Sequence, residues 1–311
     1  MNTSISQTQD ATPVKKPILS RKHKEWIWGY VFIAPTVVGL FVFLIGPIFF
    51  SFYISMSRWD NLNPPQFIGF DNYIRMFTDS MLHLEIRNTL LFAVFIVPFT
   101  VIMPLLVAVM LSVKAKWIGF FRVCLFLPWV TSGIAAAMVW QNMFMDRFGM
   151  VNGFLRRLGI PVVGWLSSPH TVFGIVVAMS VWAALGYYAI IYLVGLKNLP
   201  ASYNEAAAID GANKMQVFFK ITIPLLTPQI FFVLTMTAIG AFQMFDAILV
   251  FGANPHIRDG IRTVAFGIFD RGFNFQQMGY ASANAIVLLI MIMAVTLLNF
   301  VFQKFWVHYD N

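Results

Sequence analysis

Catalysis needs a nucleophile beside a base, or a metal held by clustered ligands, and the sequence points to neither. The histidines, His23, His83, His170, His256 and His308, lie far apart and form no H-E-x-x-H pair. Cys124, the single cysteine, sits in an apolar run, where it permits no intrachain disulfide and is expected to be a small packing residue. No G-x-x-x-x-G-K-[ST] loop occurs, so the chain is expected to carry no nucleotide or other cofactor of its own. What remains is a set of neutral hydrogen-bonding groups at helical spacing. Ser180, Ala183, Ala184 and Tyr187 follow i, i+3, i+4, i+7 and share one helix face. Thr237, Ala241 and Met244 share another, with Gln243 beside it. Alanines leave room, while hydroxyls and an amide bond a polar solute, so this is the chemistry of a path. The same small residues also permit plain close packing of membrane helices.

The elements that carry these residues read as membrane helices. Of 311 residues, 59% are hydrophobic and only 11% charged, against about 25% charged in soluble domains. Six stretches, 27–54, 89–113, 121–145, 171–196, 225–247 and 279–303, reach the roughly 20 apolar residues that span a bilayer. The expected fold is therefore all-α and polytopic, with six transmembrane helices. An even number of spans puts both termini on one side. The cluster Lys15, Lys16, Arg21, Lys22 and Lys24 ahead of the first span makes that side the cytoplasm. The net charge of +8 suits anionic lipid headgroups and topology rather than nucleic acid, because it gathers on no solvated face. Residues 1–25 read as a cytoplasmic tail without a cleaved signal, and 26–311 as the transmembrane domain. Asp246 is the one acidic residue in the six stretches. At about 1.5 Å per residue it stands about 33 Å from Pro224, near the outer edge of the hydrocarbon, and is expected to serve a structural or gating hydrogen bond.

The inner loop 197–224 carries the clearest signal. Ser202 and Glu205 are spaced as a capping box after Pro200, and Ala206, Ala207 and Ala208 favour helix. Gly211 is suited to end that helix in the left-handed conformation. Asn213 and Gln216 repeat the cap spacing, and Pro224 is expected to close the unit. Read on physics alone, such a helix–hinge–helix unit is either a platform for a partner or an amphipathic connector.

Glu205-Ala206-Ala207, Gly211 six residues after Glu205, then Ile221 and Pro224 resemble the EAA loop of ATP-binding-cassette importer permeases. IAPTVVGLFVFLIGPIFF, GFDNYIRMF, FFRVCLFLPWV and MGYASANAIVLL are similar to the carbohydrate-uptake (maltose and multiple-sugar) branch, so the resemblance covers nearly the whole chain. One departure is GANP at 252–255, where many relatives carry GGGP. The resemblance implies a type I importer permease fold. It implies that Glu205, Ala206, Ala207, Asp210, Gly211, Ile221 and Pro224 dock a separate ATPase subunit, with 203–220 carrying the motion. It also implies that Ser180, Ala184, Tyr187, Thr237, Ala241, Gln243 and Met244 line a sugar path. The implied partners are a related permease, two ATPase subunits that bind the ATP, an extracytoplasmic solute-binding protein and membrane lipid. The spans are expected to hold no Arg or Lys, so the expected substrate is a neutral sugar or polyol. A secondary transporter is the alternative, but internal repeats and midplane ionisable residues are not evident. An intramembrane enzyme lacks any nucleophile–base pair.

Overall fold

The computed structural model describes residues 21–113 and 116–308. The tail expected over 1–25 lies outside the described residues up to position 20, as do Lys114, Ala115 and the last three residues. The chain forms two units, residues 1–50 and 51–311. In the first, α1 (Arg21–Leu40) runs through a π-turn at Phe41–Ile45 into α2 (Gly46–Ser55). The Gly46 N–H donates to the Phe41 carbonyl five residues back. Pro47 follows at once, and its ring excludes the usual carbonyl four residues behind it, which is why the register widens here.

The second unit opens with a two-residue antiparallel ladder, β1 (Ser57–Arg58) against β2 (Gln66–Phe67), the one departure from all-α structure among the described residues. A short α3 (Asp71–Met76) leads into α4 (Ser80–Leu111), capped by the Asp79 carboxylate, which accepts from the Met81 and Leu82 N–H groups. Helix α4 packs along α8 (Pro169–Asn198) as the central pair, with Phe92 stacked on Phe173 at 4.4 Å. Helix α12 (Thr227–Phe242) lies against α4, and α16 (Met278–Trp306) against α12. These long helices, together with the α1–α2 helix, match five of the six expected spans to within a few residues, apart from α4, which starts nine residues early.

The sixth differs. The stretch 121–145 is two helices, α5 (Ile118–Val130) and α6 (Gly133–Met143), bent by 102°. Thr131 and Ser132 between them are extended, three residues after Pro128, which deprives the last turn of α5 of one backbone donor. Helix α5 crosses α8 so closely that a Cβ on Gly186 would collide with the Leu125 backbone. Cys124 is exposed on α5, not packed as expected. The connections on the other side of the bundle hold α7 (Met150–Arg157), α13 (Asp246–Phe251), α14 (Pro255–Ile261) and α15 (Val264–Phe269), followed by a π-turn at Asp270–Asn274.

In the inner loop, α9 is Ala201–Ile209 and α10 is Lys214–Val217. Gly211 is left-handed, with φ +71°. The Ala212 N–H reaches the Ala207 carbonyl at 2.9 Å and the Gly211 N–H the Ala208 carbonyl at 3.2 Å, the paired bonds of a Schellman stop. Asn213 and Gln216 cap each other reciprocally at 2.8 and 2.9 Å. The expected Ser202–Glu205 box does not form. Only Leu199 and Pro200 separate α8 from α9, so helix resumes directly after the proline and Ser202 already lies inside it. Pro224 does not close the unit either. A π-turn at Phe218–Thr222 absorbs it, and the chain continues through α11 (Ile223–Leu225) into α12 after a single turn residue, Leu226.

Candidate functional site

A cavity of about 500 Å³ opens where α4, α5, α6, α8 and the α12–α13 junction meet. From α8 it takes Ser180, Ala183, Ala184 and Tyr188; from α12, Thr237, Gly240 and Ala241. The non-helical turn after Phe242 presents Gln243 and Met244 to the same space, and Asp246 follows. The expected path residues from the fourth and fifth spans are thus brought together, with one exception. Tyr187 does not line the cavity. Its ring stacks on Trp129 at 4.2 Å and 5°, and it is Trp129 and Tyr188 that face the space. Adjacent helical positions differ by about 100°, so a spacing argument that fixes a face leaves its edge open by one residue.

Each wall residue has a local reason for its position. The Ser180 hydroxyl donates back to the Val176 carbonyl at 2.8 Å, leaving its lone pairs toward the cavity. Gly240 and the two alanines keep the wall low. Asp246 sits in the first turn of α13 and presses on Gly133, the first residue of α6, where a Cβ would meet the carboxylate. A carboxylate there faces the unbonded N–H groups and positive end of the α6 dipole. That geometry places Asp246 at the contact between α13 and α6.

Arg122 corrects the expectation about cations, because it lies inside the third apolar stretch. It lies near the start of α5, donates to the Leu111 carbonyl at 3.1 Å and does not line the cavity.

The inner loop lies at the opposite end from the α13–α15 connections. Glu205, Ala206, Asp210 and Gly211 are exposed, whereas Ala207 is buried and Ile221 and Pro224 are half-buried. Beneath the loop, Leu106, Met110, Leu196, Met215 and Phe218 enclose an apolar groove of about 1000 Å³. The His308 N–H donates to the Thr227 hydroxyl at 2.9 Å, which ties the end of α16 to this same side.

A buried charge network escaped the sequence reading altogether. Glu85 is fully buried and bonds both Arg262 and Arg271, the latter at 2.6 Å. Arg262 also meets Asp270 at 2.6 Å, and Arg271 meets Asp79 at 3.4 Å. The Tyr280 hydroxyl donates to Asp79 at 2.7 Å. Desolvation works against the charge on Asp79, but the Tyr280 hydroxyl, the helix N–H groups and Arg271 outweigh it and hold its carboxyl below the usual range. Asp270 is likewise lowered, its partial burial outweighed by Asn274 and Arg262. One signal was present in the sequence. Glu85, Asn88, Thr89, Phe92 and Ile96 fall on one face of α4, and a charge that continues an apolar face is a buried charge.

Residues 85–307 match the family described as binding-protein-dependent transport system inner membrane component. The chain is 37% identical over 292 residues to the probable ABC transporter permease protein YesP of Bacillus subtilis (strain 168), covering 93% of this chain and 94% of that one. It is 33% identical to the arabinooligosaccharides transport system permease protein AraP of the same organism (87% and 86% covered). It is 30% identical to the trehalose/maltose transport system permease protein MalF of Thermococcus litoralis (89% and 93% covered). Among solved structures, a chain of a bacterial alginate ABC transporter, crystallised with an alginate pentasaccharide-bound periplasmic protein, shares its fold with a TM-score of 0.82 at 22% identity over 91% of this chain and 95% of that chain.

Proposed function

The chain belongs to the family of binding-protein-dependent transport system inner membrane components, and from that premise we propose that it forms half of the path by which an ATP-driven importer takes up a neutral saccharide. It is a multi-pass inner-membrane permease subunit; the substrate, the ATPase coupling and the orientation are our reading. The cavity carries that reading. Its polar lining is hydroxyl and amide, from Ser180, Thr237, Tyr188 and Gln243, beside the exposed face of Trp129. An aromatic face with neutral donors and acceptors suits a sugar ring, and the one charge in the lining, Asp246, lies against Gly133 at the start of α6. Relatives named for arabinooligosaccharides and for trehalose/maltose support the same class.

On this reading ATP is bound and hydrolysed by two separate subunits. The exposed side of α9, with Glu205, Ala206, Asp210 and Gly211, docks one of them, and Ala207, Ile221 and Pro224 hold the loop to the bundle. A related permease completes the path, the solute-binding protein delivers from outside, and both termini are cytoplasmic. Because α10 runs through α11 into α12, a push on the loop moves the wall that bears Thr237 and Ala241.

The test is ATPase stimulation in the reconstituted complex, with its binding protein loaded in turn from a panel of neutral oligosaccharides and their phosphorylated or carboxylated analogues. Neutral sugars are expected to stimulate, and Thr237→Val with Gln243→Leu to lower the response about tenfold or more. Stimulation by the anionic analogues alone would overturn the substrate class. Uptake that proceeds without ATPase subunits and resists vanadate would mark a secondary transporter instead.

A further inference from the structure

Between the cavity and the inner loop, α8 and α12 meet across a joint that is apolar except for two spare polar groups. Tyr192 on α8 is fully buried, and its hydroxyl has no hydrogen-bond partner. On α12 the Gln229 Oε1 is also buried and unbonded. Native structures leave few such atoms, because each forfeits the bonds it made with water. Tyr192 follows the cavity residue Tyr188 by about one turn, and helical side chains lean toward their N-terminus, so its hydroxyl is directed toward the cavity floor. Three residues further along α8, a Cβ on Gly195 would press on the side chains of Leu226 and Gln229. Leu226, just ahead of α12, and Val233 within it are fully buried in one cluster with Tyr192 and plug the joint. Two features of the architecture suit this joint to opening. Helices α8 and α12 each pack extensively on α4 but touch one another lightly, so they can part while both keep their main support. The inner loop is fastened to both. Helix α9 follows α8 after Leu199 and Pro200, α10 runs through α11 into α12, and left-handed Gly211 turns the chain between them. A displacement of the loop therefore acts across the joint.

We infer that the α8–α12 joint is the inner half of the sugar path, sealed in this structure, and that when it opens the Tyr192 hydroxyl and the Gln229 amide bond the hydroxyls of the departing saccharide. The inference rests on the importer reading. Phenylalanine and leucine would seal the closed joint equally well, so the two polar groups acquire their partners only when it parts. A saccharide hydroxyl both donates and accepts, and so satisfies either group.

The first measurement is thiol accessibility in the complete complex, in inverted membrane vesicles. Cys124→Ser removes the native thiol of this chain, and Tyr192→Cys or Val233→Cys places one in the joint. The probe is the membrane-impermeant reagent sulfonatoethyl methanethiosulfonate, with modification read from the mass of this subunit. The rate is expected to differ at least fivefold between the nucleotide-free and the vanadate-trapped complex. Val172→Cys, as buried but near the other end of α8, is expected to react slowly in both. Slow, unchanged modification at both 192 and 233 overturns the inference, and so does a change that Val172→Cys shares, which marks general loosening. The second measurement is sugar moved per ATP hydrolysed in proteoliposomes, using the tritiated neutral oligosaccharide that stimulates best in the panel above. Tyr192→Phe combined with Gln229→Leu is expected to lower that ratio at least fivefold, while Gln229→Asn, which keeps an amide, stays within twofold of the parent. An unchanged ratio in the double variant gives the two groups a structural role only and overturns the inference. A complex that vanadate does not inhibit defeats the importer reading itself, and the inner path with it.

Discussion

The space that a side chain at Gly133 would need is filled by the Asp246 carboxylate. A methyl group at 133 meets the Asp246 carboxylate, and overpacking of this kind costs about 1–3 kcal/mol. Gly133→Ala is expected to lower the thermal midpoint of the purified complex, and Asp246→Ala in the same chain to recover at least half of that loss. Additive losses would show that the two do not touch. Gly211 is constrained differently. Nothing lies within 4 Å of a Cβ placed there, so its requirement is the positive φ alone. Gly211→Val is expected to cost about 1–2 kcal/mol locally and to loosen ATPase co-purification, whereas Gly211→Asn, which tolerates the left-handed region, should retain it. Retention by both variants would remove the loop from the coupling role. Gly211 and the Asn213–Gln216 box were legible in the sequence because their chemistry is local. Tyr187 was misplaced, and Ser202 misassigned as a cap, because each depended on a neighbour, Trp129 in one case and the end of α8 in the other.

The elements divide along the same line. The long helices were legible because about 20 apolar residues have few other solutions. The bend between α5 and α6 was not, since prolines such as Pro98 and Pro104 also occur inside the unbroken α4. Nor was the union of α4 with the α14–α16 connection. Glu85 meets Arg262 and Arg271 across 177 and 186 residues of chain, a distance no local pattern spans. Removing the anion leaves two guanidiniums short of a partner in a site without water access, at about 3–5 kcal/mol. Glu85→Gln is therefore expected to lower yield and thermal midpoint sharply and to expose the 262–271 segment to protease. A variant as stable and protease-resistant as the parent would show that Asp79 and Asp270 suffice. Gly267→Ala, which would place a methyl against the same carboxylate, is expected to act in the same direction.

At the scale of the whole molecule, His308 at the end of α16 is bonded to Thr227 beside the inner loop, so the two lie at one end of the bundle. Reporter fusions at Asn311 and within 55–88 are expected to read opposite sides, with Asn311 cytoplasmic; an outside signal at Asn311 would change the number of crossings. The 102° break at Thr131 and Ser132 has a consequence for the life of the protein in the cell. Thr131 and Ser132 are exposed, level with the cavity, where one helix ends and another begins with unbonded backbone groups. Hydrocarbon tails offer those groups nothing to bond, so the seam needs the second permease or water over it. An orphan copy presents a permanent flaw to the membrane's quality-control proteases. Pulse–chase labelling is expected to give it a half-life several-fold shorter than in cells that co-express the second permease, so that turnover, rather than matched synthesis, sets the ratio of the two halves. Equal half-lives in both cells would mean that the seam closes without help.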